Sequence, residues 1–192
     1  MLKYIVFLGA AVSLFGAATY IKEMLKGKAK PNRLSWLIWS ISPLIAFFAS
    51  ISSGFTLAAI PIFTSGIAPL IIFTVSLFKK EAYWKIETKD YVCGAFSIIA
   101  LVLWYITKNP ITAIILAVAG DTLAALPTII KGWKYPETES AAPFCGGLFN
   151  ALTSFIALEK WNIQTIIFPI YLVLINIILI FAIIHKKIMP KK

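Results

Sequence analysis

Asp121 is the residue of this chain whose type and setting point most directly to chemistry. It is the only charged residue in the apolar run 109–130, and Pro127 follows six residues later. A carboxylate in a hydrocarbon setting is expensive, so it is expected to face a polar cavity, to pair, or to carry a proton. Asn150 and Asn176 lie in two later apolar runs. Counted from the ends of their runs, the three side chains fall at matching depth near the middle. Together they could form a site for a hydroxyl-bearing or cationic solute, with Asp121 as the proton carrier. The competing reading is structural: an acid that ties its helix to a neighbour, and two asparagines bonded between helices.

Pro127 removes a backbone hydrogen bond inside its run, whereas Pro143 falls in the first turn of the next, where proline is tolerated. The pair is a candidate hinge, a static kink being the alternative. Other chemistry finds little support. There is no zinc spacing, nucleophile triad or phosphate loop, and no pair of catalytic groups is spaced to meet on one face, so neither an enzyme nor a cofactor is expected. Cys93 and Cys145 lie in apolar segments and read as small buried hydrophobes rather than a disulfide. His185, beside Lys186 and Lys187, reads as an interfacial cation.

The elements that must position these residues follow from composition. The chain has 192 residues, is 60% hydrophobic and 14% charged, and has a mean hydropathy of +0.88. That describes an integral membrane protein with the bilayer as its main solvent. The net charge of +10 fits basic loops between spans, with no nucleic-acid motif in the chain. A spanning helix needs roughly 17–25 residues. Runs 4–21, 91–107, 109–130, 140–158 and 161–184 each supply one helix. The uncharged stretch 34–78 supplies two, folding back at Ser52-Ser53-Gly54. Seven transmembrane helices result, in an all-α fold. Residues 81–86 are expected as a short amphipathic piece on the membrane surface. Trp36, Trp39, Trp133 and Trp161 are expected as interface anchors.

Charge sets the orientation. Fifteen of the eighteen Lys and Arg residues follow helices one, three, five and seven, against Lys3, Lys108 and Lys160 on the other side. The positive-inside bias then puts the amino terminus outside and the carboxyl terminus in the cytoplasm. The Lys and Ile content suits a plasma (inner) membrane of a prokaryote. Lys3 ahead of an apolar run imitates a secretory signal, but five basic residues after that run favour an uncleaved helix.

An internal repeat is visible at a shift of 105. Lys3 meets Lys108, Lys26-Gly27 meets Lys131-Gly132, Pro31 meets Pro136, Ser35 meets Ser140 and Ile51 meets Ile156. Two three-helix units in the same orientation need one helix between them, and helix four is that helix. The division is 1–80 for the first unit, 81–107 for the linker segment and helix four, and 108–192 for the second unit.

The stretch Pro127-Thr128-Ile129-Ile130-Lys131, followed by Glu139-Ser140-Ala141-Ala142-Pro143, resembles the PQ-loop repeat of SWEET sugar transporters and cystinosin-like exporters, with Thr128 in place of glutamine. In the first half Tyr20-Ile21-Lys22 stands where the proline motif would be. The resemblance implies a central cavity that opens alternately to each side. It puts Asn176 where the family's last helix carries a substrate-contacting asparagine, and Ser50 and Ser154 where second-helix pocket residues fall. The function it implies is a small-solute transporter or facilitator, to which the buried position of Asp121 adds a proton link. The alternative is a non-transporting receptor or scaffold of the same architecture. The partners expected are the bilayer, a small solute and a proton, with a homo-oligomer as a further candidate.

Overall fold

A computed structural model describes residues 2–52, 57–79, 84–106, 110–158 and 161–189. Among these there is no strand. Seven α-helices run in order: α1 Ile5–Leu25, α2 Arg33–Ser52, α3 Ala59–Phe78, α4 Thr88–Ile106, α5 Pro110–Lys134, α6 Ala142–Ile156 and α7 Ile163–Ile188. Leu2–Tyr4 and Pro136–Thr138 form single 3-10 turns. Among the described residues, four segments are long and apolar enough to cross a membrane: Leu2–Leu25, Ala59–Phe78, Ile115–Lys134 and Thr165–Ile188. The chain is therefore a helical, multi-pass membrane protein by the length and composition of its helices. The expected fold-back between helices two and three falls between Ser52 and Ala59, and residues 53–56 lie outside the described residues.

The helices are sorted by residue size. On α1 the buried positions are Val6, Gly9, Ser13, Gly16, Ala17, Tyr20 and Met24, a stripe at helical spacing made mostly of small residues. Its outward positions include Phe7 and Phe15, and Phe15 is 75% exposed. α3 buries Ala59, Pro61, Thr64, Gly66, Ala68, Ile72 and Ser76 while Phe78 faces out. Small residues inside and large apolar ones outside suit helices that pack closely in lipid, where burying apolar surface between helices gains little.

α3 packs on both α1 and α2, and α7 packs on both α5 and α6. Across the molecule α1 lies along α6 and α2 meets α5, while α4 covers α5 and touches α2. Three glycines set the α1–α6 seam. A Cβ on Gly16 would meet the Ala142 carbonyl oxygen at 2.5 Å, and one on Gly146 would meet the Val12 oxygen at 2.8 Å. One on Gly9 would run into the Thr153 hydroxyl. Only bare backbone permits this approach.

The basic turns gather at one end. The turn after α1 closes at Gly27, whose φ of +74° is the left-handed conformation glycine tolerates. The Lys30 amide then donates to the Thr138 carbonyl at 2.9 Å, joining that turn to the one after α5. Asn32 caps α2 by accepting from the amides of Leu34 and Ser35, and Arg33 donates to the Ser76 and Lys79 carbonyls at the end of α3. Lys186 of α7 donates to the Lys134 carbonyl at 3.0 Å. The ends of α1, α3, α5 and α7 thus share one face with the starts of α2 and α6.

Of the amphipathic piece expected at 81–86, residues 81–83 lie outside the described residues, and 84–86 take no regular structure. Trp84 docks instead on the basic end, its amide donating to the Pro31 carbonyl at 3.1 Å and its ring 5.3 Å from that of Tyr135. Cys145 is not buried but exposed, while Cys93 is partly covered, and both are free.

Candidate functional site

A cavity of about 90 Å³ lies where six helices meet. That is well above the ~10–15 Å³ needed to admit one water, so it can hold several waters or a small solute. α1 contributes Ser13 and Ala17; α2 contributes Trp36, Trp39 and Pro43; α3 contributes Thr64, Ser65, Ala68, Pro69 and Ile72. Asp121 comes from α5, Pro143, Phe144 and Gly147 from α6, and Leu172, Ile175, Asn176 and Leu179 from α7. Among the described residues α4 supplies none of this lining.

Asp121 and Asn176 therefore meet on one cavity. Asp121 is 7% exposed, and its Oδ2 accepts a 2.6 Å hydrogen bond from the Tyr171 hydroxyl. Trp39 donates from Nε1 to the Asp121 backbone oxygen at 3.4 Å, so α2 and α5 meet around the acid. Asn176 Nδ2 donates to the Leu172 carbonyl at 2.7 Å within its own helix. Its Oδ1 would lie 2.9 Å from a Cβ on Gly147, so that glycine makes room for it.

Asn150 stands behind this wall. Its Nδ2 donates to the Pro61 carbonyl at 3.1 Å and to Ser65 Oγ at 3.2 Å, and Ser65 lines the cavity. Ser154 takes no part: its hydroxyl donates to the Ala151 carbonyl at 2.6 Å, inside α6. Ser50 falls in α2, but its side chain lies outside the described residues. Pro127 sits inside α5 and Pro143 in the first turn of α6, and only Pro143 borders the cavity.

The aromatic wall is what the sequence reading missed. Trp36 and Trp39, expected as interface anchors, are 2% and 8% exposed and line the cavity. Trp36 stacks on Phe144 with centroids 5.8 Å apart, and Trp39 stands at 88° to Trp36 and 83° to Phe144. A signal was present: Trp36, Trp39 and Pro43 repeat at helical spacing on one face. Trp133 and Trp161 do remain outward, at 47% and 69% exposure. His185, expected as an interfacial cation, is instead buried flat against Trp133, with centroids 3.9 Å apart, and its Nδ1 lies 2.9 Å from the Ala182 carbonyl.

Toward the basic end the cavity is capped in two layers. The aromatic wall is the first. Beyond it a buried ion pair joins Lys131 Nζ to Glu139 Oε1 at 2.6 Å, and Tyr20 donates to Glu139 Oε2 at 3.0 Å. Lys131 also donates to the Lys30 carbonyl and lies 5.0 Å from the centre of the Trp84 ring. Tyr20, Met24 and Lys131 are at most 2% exposed. Ten helical residues, about 15 Å, separate Asp121 from Lys131 along α5.

Among the described residues no group of His, Cys, Asp and Glu could hold a metal ion. No family model, no curated protein and no solved structure matches this chain. Its function must be argued from this geometry.

Proposed function

We propose that this protein is a small-solute transporter working by alternating access, with the six-helix cavity as its binding site and Asp121 as its proton carrier. The observation that carries the proposal is the cavity's make-up: among the described residues, a single carboxylate, at mid-helix, in a chamber lined by both halves of the chain. A structural acid needs only one neighbour, whereas this one faces a space large enough for a solute.

The packing supports a duplex of three-helix units like that of the PQ-loop and SWEET proteins. In each half the third helix packs on both of the others, and the first helix of one half meets the second of the other. α4 then acts as the linker, and the basic end becomes the cytoplasmic face of the plasma (inner) membrane under the positive-inside bias. The two seams between the halves are unequal. α1–α6 is closed by glycines, while α2–α5 holds Trp39 and Asp121, so movement at α2–α5 opens the cavity with the least disturbance.

The test is flux. A thermal-shift screen of sugars, amino acids and nucleosides at neutral and acidic pH selects a solute, and its uptake is measured in proteoliposomes. Asp121→Asn should abolish pH-dependent flux while the protein still folds. Unchanged flux and pH dependence would remove Asp121 from the mechanism. A folded protein that binds its solute and moves none would be a receptor of the same architecture.

A further inference from the structure

We infer that the cavity selects a protonated primary amine, a small organic ammonium with an apolar body. This rests on the transporter reading above, whose solute it specifies by class.

Charge is the first argument. Among the described residues the lining contains one carboxylate and no Lys, Arg or His. The nearest buried cation toward the basic end, Lys131, is already held by Glu139 and the Lys30 carbonyl. A solute that enters with a positive charge supplies the counter-ion this acid lacks.

Hydrogen-bond supply is the second argument, and it is independent of charge. The donors of the lining are mostly spent within the protein. Thr64 donates to the Ile60 carbonyl, Ser65 to Pro61, Asn176 Nδ2 to Leu172, and Trp39 Nε1 to Asp121. Trp36 Nε1 is buried among its neighbours, beside Tyr20, and is not offered to the chamber. The second N–H of Asn176 Nδ2 and the Ser13 hydroxyl are the donors left among the described residues. Acceptors, by contrast, remain. Tyr171 occupies Oδ2 of Asp121, and among the described residues Oδ1 has no partner. Pro43 and Pro69 lack the amide that would bond the carbonyls of Trp39 and Ser65, four residues earlier, and all four residues border the cavity.

A chamber rich in acceptors and poor in donors suits a ligand that only donates. An ammonium group has three N–H donors and no acceptor. A sugar carries several hydroxyls that both donate and accept, and most of its acceptors would go unmet here. A quaternary ammonium has the charge without the donors. The rings of Trp39 and Phe144 favour a cation with an apolar tail, through both contact and ring electrostatics.

The experiment is calorimetric titration of the full-length protein in lipid nanodiscs, with empty discs subtracted. Three probes are compared: butylammonium, its neutral isostere 1-butanol, and tetramethylammonium, which keeps the charge and lacks N–H groups. Butylammonium should bind saturably and at least tenfold more tightly than either. Asp121→Asn should weaken butylammonium at least tenfold and leave 1-butanol unchanged. Equal affinity for butylammonium and 1-butanol, or no butylammonium binding by folded protein, overturns the inference. A match between tetramethylammonium and butylammonium overturns the donor argument and with it the primary-amine selectivity. Should Asp121→Asn fail to fold, the wild-type comparison decides alone. Selective binding without uptake into proteoliposomes would sink the transporter reading and leave the amine site. Uptake of a neutral solute by a protein indifferent to butylammonium would do the reverse.

Discussion

Tyr171 donates its hydroxyl proton to Oδ2 of Asp121 across 2.6 Å, tying α7 to α5 beside the cavity. The bond fixes one carboxylate oxygen and turns the acid's remaining capacity toward the chamber. An acid at this depth with no donor would have only solute, proton or water to satisfy it. Tyr171 therefore holds Asp121 in place whether or not the cavity is filled.

Tyr171→Phe should lower stability by about 1 kcal/mol, the scale of an interhelical hydrogen bond inside a membrane protein. Thermal unfolding in detergent measures it. A double-mutant cycle with Asp121→Ala isolates the pair, because each single change removes the same bond. Additive losses would mean that the two side chains do not interact in the folded protein.

The α1–α6 seam depends on backbone-to-backbone approach. A Cβ on Gly146 would lie 2.8 Å from the Val12 oxygen and 2.9 Å from the Ser13 Cα, and neither atom can yield unless the helices part. Gly146→Val is expected to destabilise by about 1–3 kcal/mol, as overpacking does. Unfolding transitions in detergent read this directly, and an unchanged midpoint would show that the seam is loose.

The ion pair between Lys131 and Glu139 is buried on both sides. Removing one partner strands the other charge, so Lys131→Met or Glu139→Gln should each cost about 3–5 kcal/mol. The double variant should recover most of that loss, since two neutral groups of similar size need no counter-charge. If the double variant were as unstable as the singles combined, packing rather than charge would be the cause.

Residue type told much of this in advance, for a physical reason. An uncharged run of the right length has few fates, so seven helices could be placed from charge gaps and one Ser-Ser-Gly turn, and α1 and α5 each run only a few residues past the expected end. Asp121 stood out because it is the one charge in its run, and it does line the cavity. Trp36 and Trp39 were harder. In a membrane protein both the lipid-facing and the protein-facing surfaces are apolar, so periodicity shows that a helix has faces without showing which meets protein. A tryptophan near a run's start thus reads as an anchor even when it forms a wall. Lys131 and Glu139 are harder still, because charge counting sees two loop residues eight apart and cannot see that the turn folds them together.

The capped basic end makes a directional prediction. With Cys93 and Cys145 replaced by alanine, Ser65→Cys puts a single thiol on the cavity wall. The aromatic wall and the Tyr20–Glu139–Lys131 cluster close the route from the basic end, so a membrane-impermeant maleimide added there should label slowly. Adding Lys131→Met and Glu139→Gln together removes the ionic layer without stranding a charge, and labelling from that end should rise several-fold. Sided labelling of inverted and right-side-out vesicles provides the measurement. If the thiol reacts equally fast from the basic end before and after the double change, the cluster is no barrier. If the thiol becomes reachable from the basic end only when the pair is neutralised, the pair holds the two turns shut and must separate each time the cavity opens that way.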